Sequence, residues 1–432
     1  MMQTTPPVHR ALHRRLLPLH IAVALQGFML WVPVEKLFMS EIGFDPAAVG
    51  VMAAAYAAVV PIVEVPSGIL ADRWSRRGVL VVSGLALAVC ALLGGLSDDV
   101  PTYIVSALVL GVYFAMYSGT MDSIVYDTVL EETGGSEGFE RTIGRVRVIE
   151  SVALVTSSLL GGWIAGLTST RLTYLLTVPV ASLSVVAYLR FREPQLHKAE
   201  EPTPLRRHLA VTYRTLTQRG RLMPIIALAV LTAVILQLVF EFGPLWMTAL
   251  TVPAVVFGPY WAGLVSTLGL GGMLAGRLDL DRPATVGAVA GVATVATVGL
   301  TTSTNVALVV TAQVVLALVM VVAGIHVTRL VHDAVPSTVR SGVASGIGAM
   351  SWIVFLPVAL VFGVVSTRHG VHTAGWMLTA ATVVAGLLLA RAASGERAAA
   401  VAAQAEPAAA LPAQPVCAAT LPAETAVLAE AS

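Results

Sequence analysis

Charge is scarce in this chain. Asp, Glu, Lys and Arg make up only 12% of its 432 residues, about half the share in a soluble globular protein. With 56% hydrophobic residues and a mean hydropathy of +0.83, it has too little polar surface to cover itself in water. A lipid bilayer is therefore its expected solvent. Cysteine is nearly missing as well. Cys90 lies in an apolar segment and Cys417 in a polar tail, so neither a disulfide framework nor a metal cluster can be read from them. A net charge of +1 leaves no footprint for nucleic acid. HExxH, GxSxG, CxxC and glycine-rich nucleotide loops are all absent, and His332-Asp333 alone makes no reaction centre. These absences argue against a polytopic membrane enzyme and against ATP-driven transport, and no cofactor is expected.

What the chain does have is long apolar runs. About 20 apolar residues cross the hydrocarbon core as a helix. Twelve such runs stand out, at roughly 17–37, 47–70, 78–97, 102–128, 143–167, 172–190, 223–248, 255–277, 283–301, 305–329, 341–366 and 371–392. Alternating ten-residue strands are absent, and lipid demands an internally bonded backbone, so the crossings are expected to be helices. The opening MMQTTPPVHRALHRRLLPLH places basic residues before a run of membrane length, with no small-residue cleavage site. An uncleaved first span is the reading. If the amino terminus lies inside, all but three of the 26 Lys and Arg residues fall on inside segments or helix ends; the exceptions are Lys36, Arg171 and Arg368. The positive-inside rule then predicts an inner (plasma) membrane protein with both termini in the cytoplasm.

The longest polar interruption divides the spans six and six. The expected domains are 1–191, a cytoplasmic linker 192–222, and 223–393, followed by an Ala/Pro-rich tail at 394–432 too poor in pattern to pack a core. The halves echo each other weakly. VALQGFMLW (Val23–Trp31) aligns with VILQLVFEF (Val234–Phe242), pairing Gln26 with Gln237, and GILADR (Gly68–Arg73) aligns with GMLAGR (Gly272–Arg277). The expected fold is all-α, with two pseudo-symmetric six-helix bundles and a site between them.

The stretch Gly68-x-Leu70-Ala71-Asp72-Arg73-x-x-Arg76-Arg77 resembles the loop 2–3 signature of the major facilitator superfamily, with Ser75 replacing the usual second glycine. SGTMDSIVYD (Ser118–Asp127) is similar to the fourth-helix pattern of its bacterial drug-efflux-like members. The resemblance implies that Asp72 faces the start of the eleventh helix near Ser341 and Gly342, where a helix dipole favours a carboxylate. It also implies that Arg73 meets a carboxylate at the end of the fourth helix, and Asp127 is the best placed. Together these residues would latch the two halves when the protein opens outward, while Arg76 and Arg77 also set orientation. Two exporter features are replaced. Ala107 stands where many proton-coupled exporters carry an arginine, and Ala153-x-x-x-Ser157-Ser158-x-x-Gly161-Gly162 stands where they carry a Gly-Pro motif.

A carboxylate inside the bilayer costs about 2.5–3.5 kcal/mol on insertion scales and needs a reason. Three stand out. Glu64 lies between Pro61 and Pro66 and could cap freed backbone donors, pair with Arg145 or carry a proton. Asp122 either extends the latch or joins the coupling. Glu241, one turn beyond Gln237 and with no basic residue in its own helix, is read as a buried carboxyl without a cation. That environment suits proton binding and release, or hydrogen bonding across a helix interface. Phe28, Trp31, Tyr113, Tyr117, Phe240 and Trp246 are the expected cavity aromatics, suited to an amphipathic ligand.

The resulting expectation is a monomeric secondary transporter, driven by the proton gradient, that exports a small hydrophobic or amphipathic molecule. Uptake by proton symport, or a receptor that has lost transport, are the alternatives. A cysteine or epitope inserted within 192–221 should be reached only from the cytoplasm; labelling from outside intact cells would end the twelve-span reading.

Overall fold

The protein's structure, a computed structural model, describes residues 6–135, 139–194, 222–275, 277–334 and 340–405. The amino-terminal half runs α1 (Pro6–Gly27), a 3-10 turn (Val32–Val34), α2 (Glu35–Glu41), α3 (Pro46–Arg73), α4 (Arg76–Leu96), α5 (Val100–Thr133), α6 (Phe139–Leu167) and α7 (Thr170–Arg190). The carboxy-terminal half runs α8 (Leu222–Phe242), α9 (Pro244–Ala249), α10 (Ala254–Ala275), α11 (Pro283–Thr302), α12 (Val306–Ala334), α13 (Arg340–His369) and α14 (Val371–Ala405). Counting α1 with α2 and α8 with α9, twelve of these stretches are long and apolar enough to cross a membrane. No strand occurs among the described residues. The last helix continues to Ala405, past the boundary read at 393. Residues 195–221 of the linker and 406–432 of the tail lie outside the described residues.

Local chemistry sets several helix starts. Asp45, Ser75, Asp99 and Ser169 cap α3, α4, α5 and α7, each side chain accepting a hydrogen bond from a first-turn N–H. At Asp99, outside the spans, the Thr102 hydroxyl and then its N–H hold the carboxyl below its usual range.

The first crossing of each half is broken near one end. The expected single helix over 17–37 stops at Gly27 and resumes beyond Pro33 as α2; α8 stops at Phe242 and resumes at Pro244 as α9. Proline has no N–H to continue a helix. Hydrocarbon offers no water to the freed groups, so the protein must satisfy them. The Leu30 N–H donates to Thr177 Oγ1 at 3.2 Å, and the Ser157 hydroxyl donates to the Gly27 carbonyl at 3.3 Å. At the second break Gln313 Nε2 donates to the Gly243 carbonyl at 3.2 Å.

We call the end where α1 starts and α14 finishes the terminal face, and the end carrying α2 and α9 the distal face. Distally the halves touch through backbone. A Cβ on Gly50 of α3 would come 2.6 Å from the Ala359 carbonyl oxygen of α13, and one on Gly162 of α6 would come 2.5 Å from Gly258 N of α10. The Ala47 N–H also donates to Thr367 Oγ1 at 2.8 Å. Toward the terminal face, Gly144 shares a face with Gly162, and Gly269 and Gly272 share one with Gly258; among the described residues, all three have nothing within 4 Å. Among the described residues, the seam between the halves is packed at its distal end.

Replacing Gly162 by Val forces backbone apart at that contact, at a cost of about 1–3 kcal/mol to the closed seam. Gly162→Val should therefore raise labelling of a Thr367→Cys reporter by an impermeant maleimide. Unchanged labelling would show that the glycine contact does not govern closure.

Candidate functional site

The breaks in α1 and α8 bring opposite charges together at the distal end of the seam. Lys36, on α2 of one half, places Nζ 2.5 Å from Glu241 Oε1 on α8 of the other and 2.9 Å from Glu35 Oε2. The Lys36 side chain is 2% exposed and that of Glu241 13%. The Tyr56 hydroxyl of α3 donates to Glu241 Oε2 at 3.4 Å, and its ring meets Trp352 of α13 edge-on at 5.7 Å. Glu35 Oε1 accepts from the Tyr103 hydroxyl at 3.0 Å, which lies 2.7 Å from that of Tyr174.

Glu241 therefore does not stand without a cation, as its own helix suggested; the cation comes from the other half. Both charges are buried, so removing Lys36 alone would strand Glu241 at about 3–5 kcal/mol, whereas Lys36 keeps Glu35 if Glu241 is lost. The triad of Glu35, Lys36 and Glu241 has one positive charge for two carboxylates. Among the described residues, no group of three or more His, Cys, Asp or Glu could hold a metal ion.

Two further polar groups lie toward the terminal face. Gln237 sits one turn before Glu241 on the same helix face, and its Oε1 is buried without a hydrogen-bond partner among the described residues. Glu64 follows Tyr56 by two turns along one face of α3, about 12 Å at 1.5 Å per residue. The carboxylate is half-buried, and among the described residues no hydrogen bond or ion pair reaches it, from Arg145 or elsewhere.

The other expected site residues fall inside one half or the other. Gln26 is buried, accepting from Tyr188 at 2.7 Å and donating to Ser83 at 3.5 Å. Its pairing with Gln237 marks equivalent positions in the repeat but different surroundings. Trp31 stacks on Tyr174 at 5.1 Å, and Trp246 packs against Phe362 with its Nε1 donating to the Leu300 carbonyl at 3.0 Å. Both are packed inside their halves and do not line a cavity. Tyr113 and Tyr117 stack on each other at 5.7 Å and are likewise buried. Phe28 lines an apolar groove of about 570 Å³ between α1, α6 and α7, with Val152 and Thr156 opposite. Phe240 meets Trp261 edge-on at 5.6 Å, next to Glu241 on α8.

The described part of the expected latch bonds within the amino-terminal half. Asp127 is ion-paired with Arg76, which also donates to the Ser123 carbonyl at 3.2 Å. Arg77 reaches the Phe191 carbonyl at 3.3 Å and its N–H donates to Glu193 at 3.3 Å. Asp122 pairs with Arg147 of α6 at 2.7 Å. Arg76 and Arg77 thus tie loop 2–3 to α5 and to the end of α7, beyond setting orientation. The surroundings of Gly68, Asp72, Arg73, Ser341 and Gly342, on which the contact between halves was expected to turn, lie outside the described residues.

Lys36, Glu35, Tyr56, Tyr103 and Tyr174 were not read as site residues. One signal for Lys36 was available. It is among the three cations on the wrong side of the charge asymmetry, and it directly follows a glutamate just after Pro33.

Twelve helices of membrane length, in two halves joined by a buried charge pair, define a multi-pass membrane protein. The sequence model of the Major Facilitator Superfamily matches residues 16–352. The chain belongs to that superfamily of transporters. Multidrug resistance protein 1 of Bacillus subtilis is 25% identical over 177 residues, covering 41% of this chain and 44% of that protein. An uncharacterized MFS-type transporter of Mycobacterium tuberculosis is 27% identical over 197 residues, covering 45% of this chain and 28% of that protein. The chain thus spans less than half the length of these curated relatives. Among solved structures, the nucleoside transporter NupG matches with a TM-score of 0.69 at 15% identity, covering 88% of this chain and 98% of that one. The D-xylose-proton symporter gives 0.62 at 14% identity, covering 87% and 97%. Likeness at such identities speaks to the fold alone.

Arg76→Met removes an ion-pair partner of the buried Asp127 and should lower stability by about 3 kcal/mol. Combined with Asp127→Asn, the loss should be smaller than the sum of the single losses. Thermal unfolding in detergent measures both; strict additivity would show that the pair is not coupled.

Proposed function

We propose that the protein is a secondary transporter of the inner (plasma) membrane that exports a small amphipathic organic molecule in exchange for protons, acting as a monomer by alternating access. The terminal face would lie in the cytoplasm, following the positive-inside asymmetry. The observation that carries this reading is the buried Lys36–Glu241 pair across the distal seam between the halves.

Glu241 has three competing partners: Lys36, a proton, and a donor or cationic group on the substrate. In the distal-open state Glu241 is separated from Lys36 and takes a proton from outside. Closing the seam returns Lys36 to Glu241 and displaces the proton toward the terminal face, past Tyr56 and Glu64. A substrate entering from the terminal face replaces Lys36 at Glu241, which lets the seam part outward. Proton and substrate exclude each other at one carboxylate, and that exclusion is the coupling. Gln237, Phe240 and Trp261 offer an unpaired acceptor and aromatic surface beside it, suited to an amphipathic molecule. Outward transport is supported by the likeness to a protein named for multidrug resistance.

The test uses purified protein in liposomes under an imposed pH gradient, with a panel of dyes and antibiotics. Gradient-driven flux is expected for at least one compound, and Glu241→Gln combined with Glu64→Gln should reduce it to the protein-free level. Flux that ignores the gradient, or survives the double substitution unchanged, removes the proton-coupled mechanism. Net movement in the direction of proton flow would identify symport instead.

A further inference from the structure

Opening the distal seam poses a problem for Lys36. Its ammonium is almost fully buried, and its bond to the other half must break. A buried cation that loses its only partner is heavily penalised, so the seam could open only if Lys36 had another carboxylate to turn to. Glu35 is already in place, with Oε2 2.9 Å from Nζ. Its second oxygen is held by Tyr103, and Tyr103 by Tyr174. Those rings are packed by Phe38, Phe44 and Trp31 of the same half. All of these contacts stay within the amino-terminal half, so Glu35 keeps its position when the other half moves away.

We infer that Glu35 is the acceptor to which Lys36 is handed when Glu241 is neutralised, and that this transfer makes distal opening possible. The inference rests on the alternating-access reading above and gives a positioning role to a residue that contacts neither proton nor substrate. No bond is made or broken beyond hydrogen bonds: Nζ keeps its protons, gives up Glu241 Oε1 and retains Glu35 Oε2. Tyr103 and Tyr174 fix the waiting carboxylate. Each half then holds its own charges in balance while the seam is parted.

The experiment measures the distance between spin labels at Ser40→Cys and Arg368→Cys, exposed distal positions on opposite halves, in the full chain in lipid nanodiscs. Cys417→Ser removes the tail thiol, and Cys90 is buried. Glu241→Gln alone should enlarge the long-distance, distal-open population, because Lys36 transfers to Glu35. Adding Glu35→Gln should shrink that population by about tenfold, since the ammonium is then stranded. Adding Lys36→Met to both should restore it. A merely structural role for Glu35 would not be rescued by removing Lys36. If Glu35→Gln leaves the Glu241→Gln distribution unchanged, the hand-over is wrong while alternating access stands. If no variant shows a distal-open population, alternating access falls and the hand-over with it.

Discussion

Hydrocarbon offers no hydrogen bonds to a backbone, and the rest of this structure follows from that. Each crossing is a helix because only a helix bonds its own amides within one segment. A helix may then be interrupted only where neighbouring side chains supply the missing partners. Both interruptions here meet that condition, through Ser157 and Thr177 at the first and Gln313 at the second. The seam charges lie beside these interruptions. A break lets the chain change direction near the membrane edge, and it carries Lys36 out of the axis of α1 and over toward α8.

The distribution of large and small residues separates what must stay rigid from what must move. Aromatic contacts worth about 0.5–1.5 kcal/mol beyond their buried area are concentrated within halves: Trp31 on Tyr174, Phe242 and Trp246 on Phe362. Across the distal seam the closest approaches are glycine to backbone, at Gly50, Gly162, Gly258 and Gly363. Where glycine meets backbone the surfaces can part without repacking, and the side chains that must give way are Lys36 and Tyr56 at Glu241 and the Tyr56–Trp352 ring contact. The loss of the family's helix-five proline fits this picture. Ser157 occupies that region of α6, and its hydroxyl is committed to the Gly27 carbonyl at the break in α1. In this chain the motif serves the break in the neighbouring helix.

Much of the architecture was legible because hydropathy and charge asymmetry are properties of a linear string. Twelve apolar runs and one-sided arginines do not depend on which way a helix is rotated. The facing of individual side chains does depend on rotation, and there the reading failed. Residue type alone suggests Trp31 and Trp246 for a cavity, and both are packed within a half. The helix of Glu241 carries no cation, and its partner stands 205 positions away in sequence. The loop motif implies Arg73 as the partner of Asp127; the structure gives that carboxylate Arg76, and the surroundings of Arg73 lie outside the described residues. The broken first crossing was also hidden, because Pro33 sits inside a run whose average hydropathy remains high.

The three cations that break the positive-inside pattern are not alike. Arg171 closes the end of α4, donating to the carbonyls of Gly95 and Ser97 and pairing with Asp98. Arg368 is exposed at the end of α13. Both remain in contact with water, where a cation costs little. Lys36 is buried, and its cost is met by carboxylates on both sides of the seam. Counting charges shows why two are needed. Glu35 and Lys36 balance within the amino-terminal half, and Glu241 is the remaining charge. Whatever neutralises Glu241, a proton or a substrate group, leaves each half neutral on its own. Two neutral bodies can be drawn apart across a low-dielectric seam without separating opposite charges; a simple Lys–Glu pair shared between halves would resist opening whether or not anything was bound.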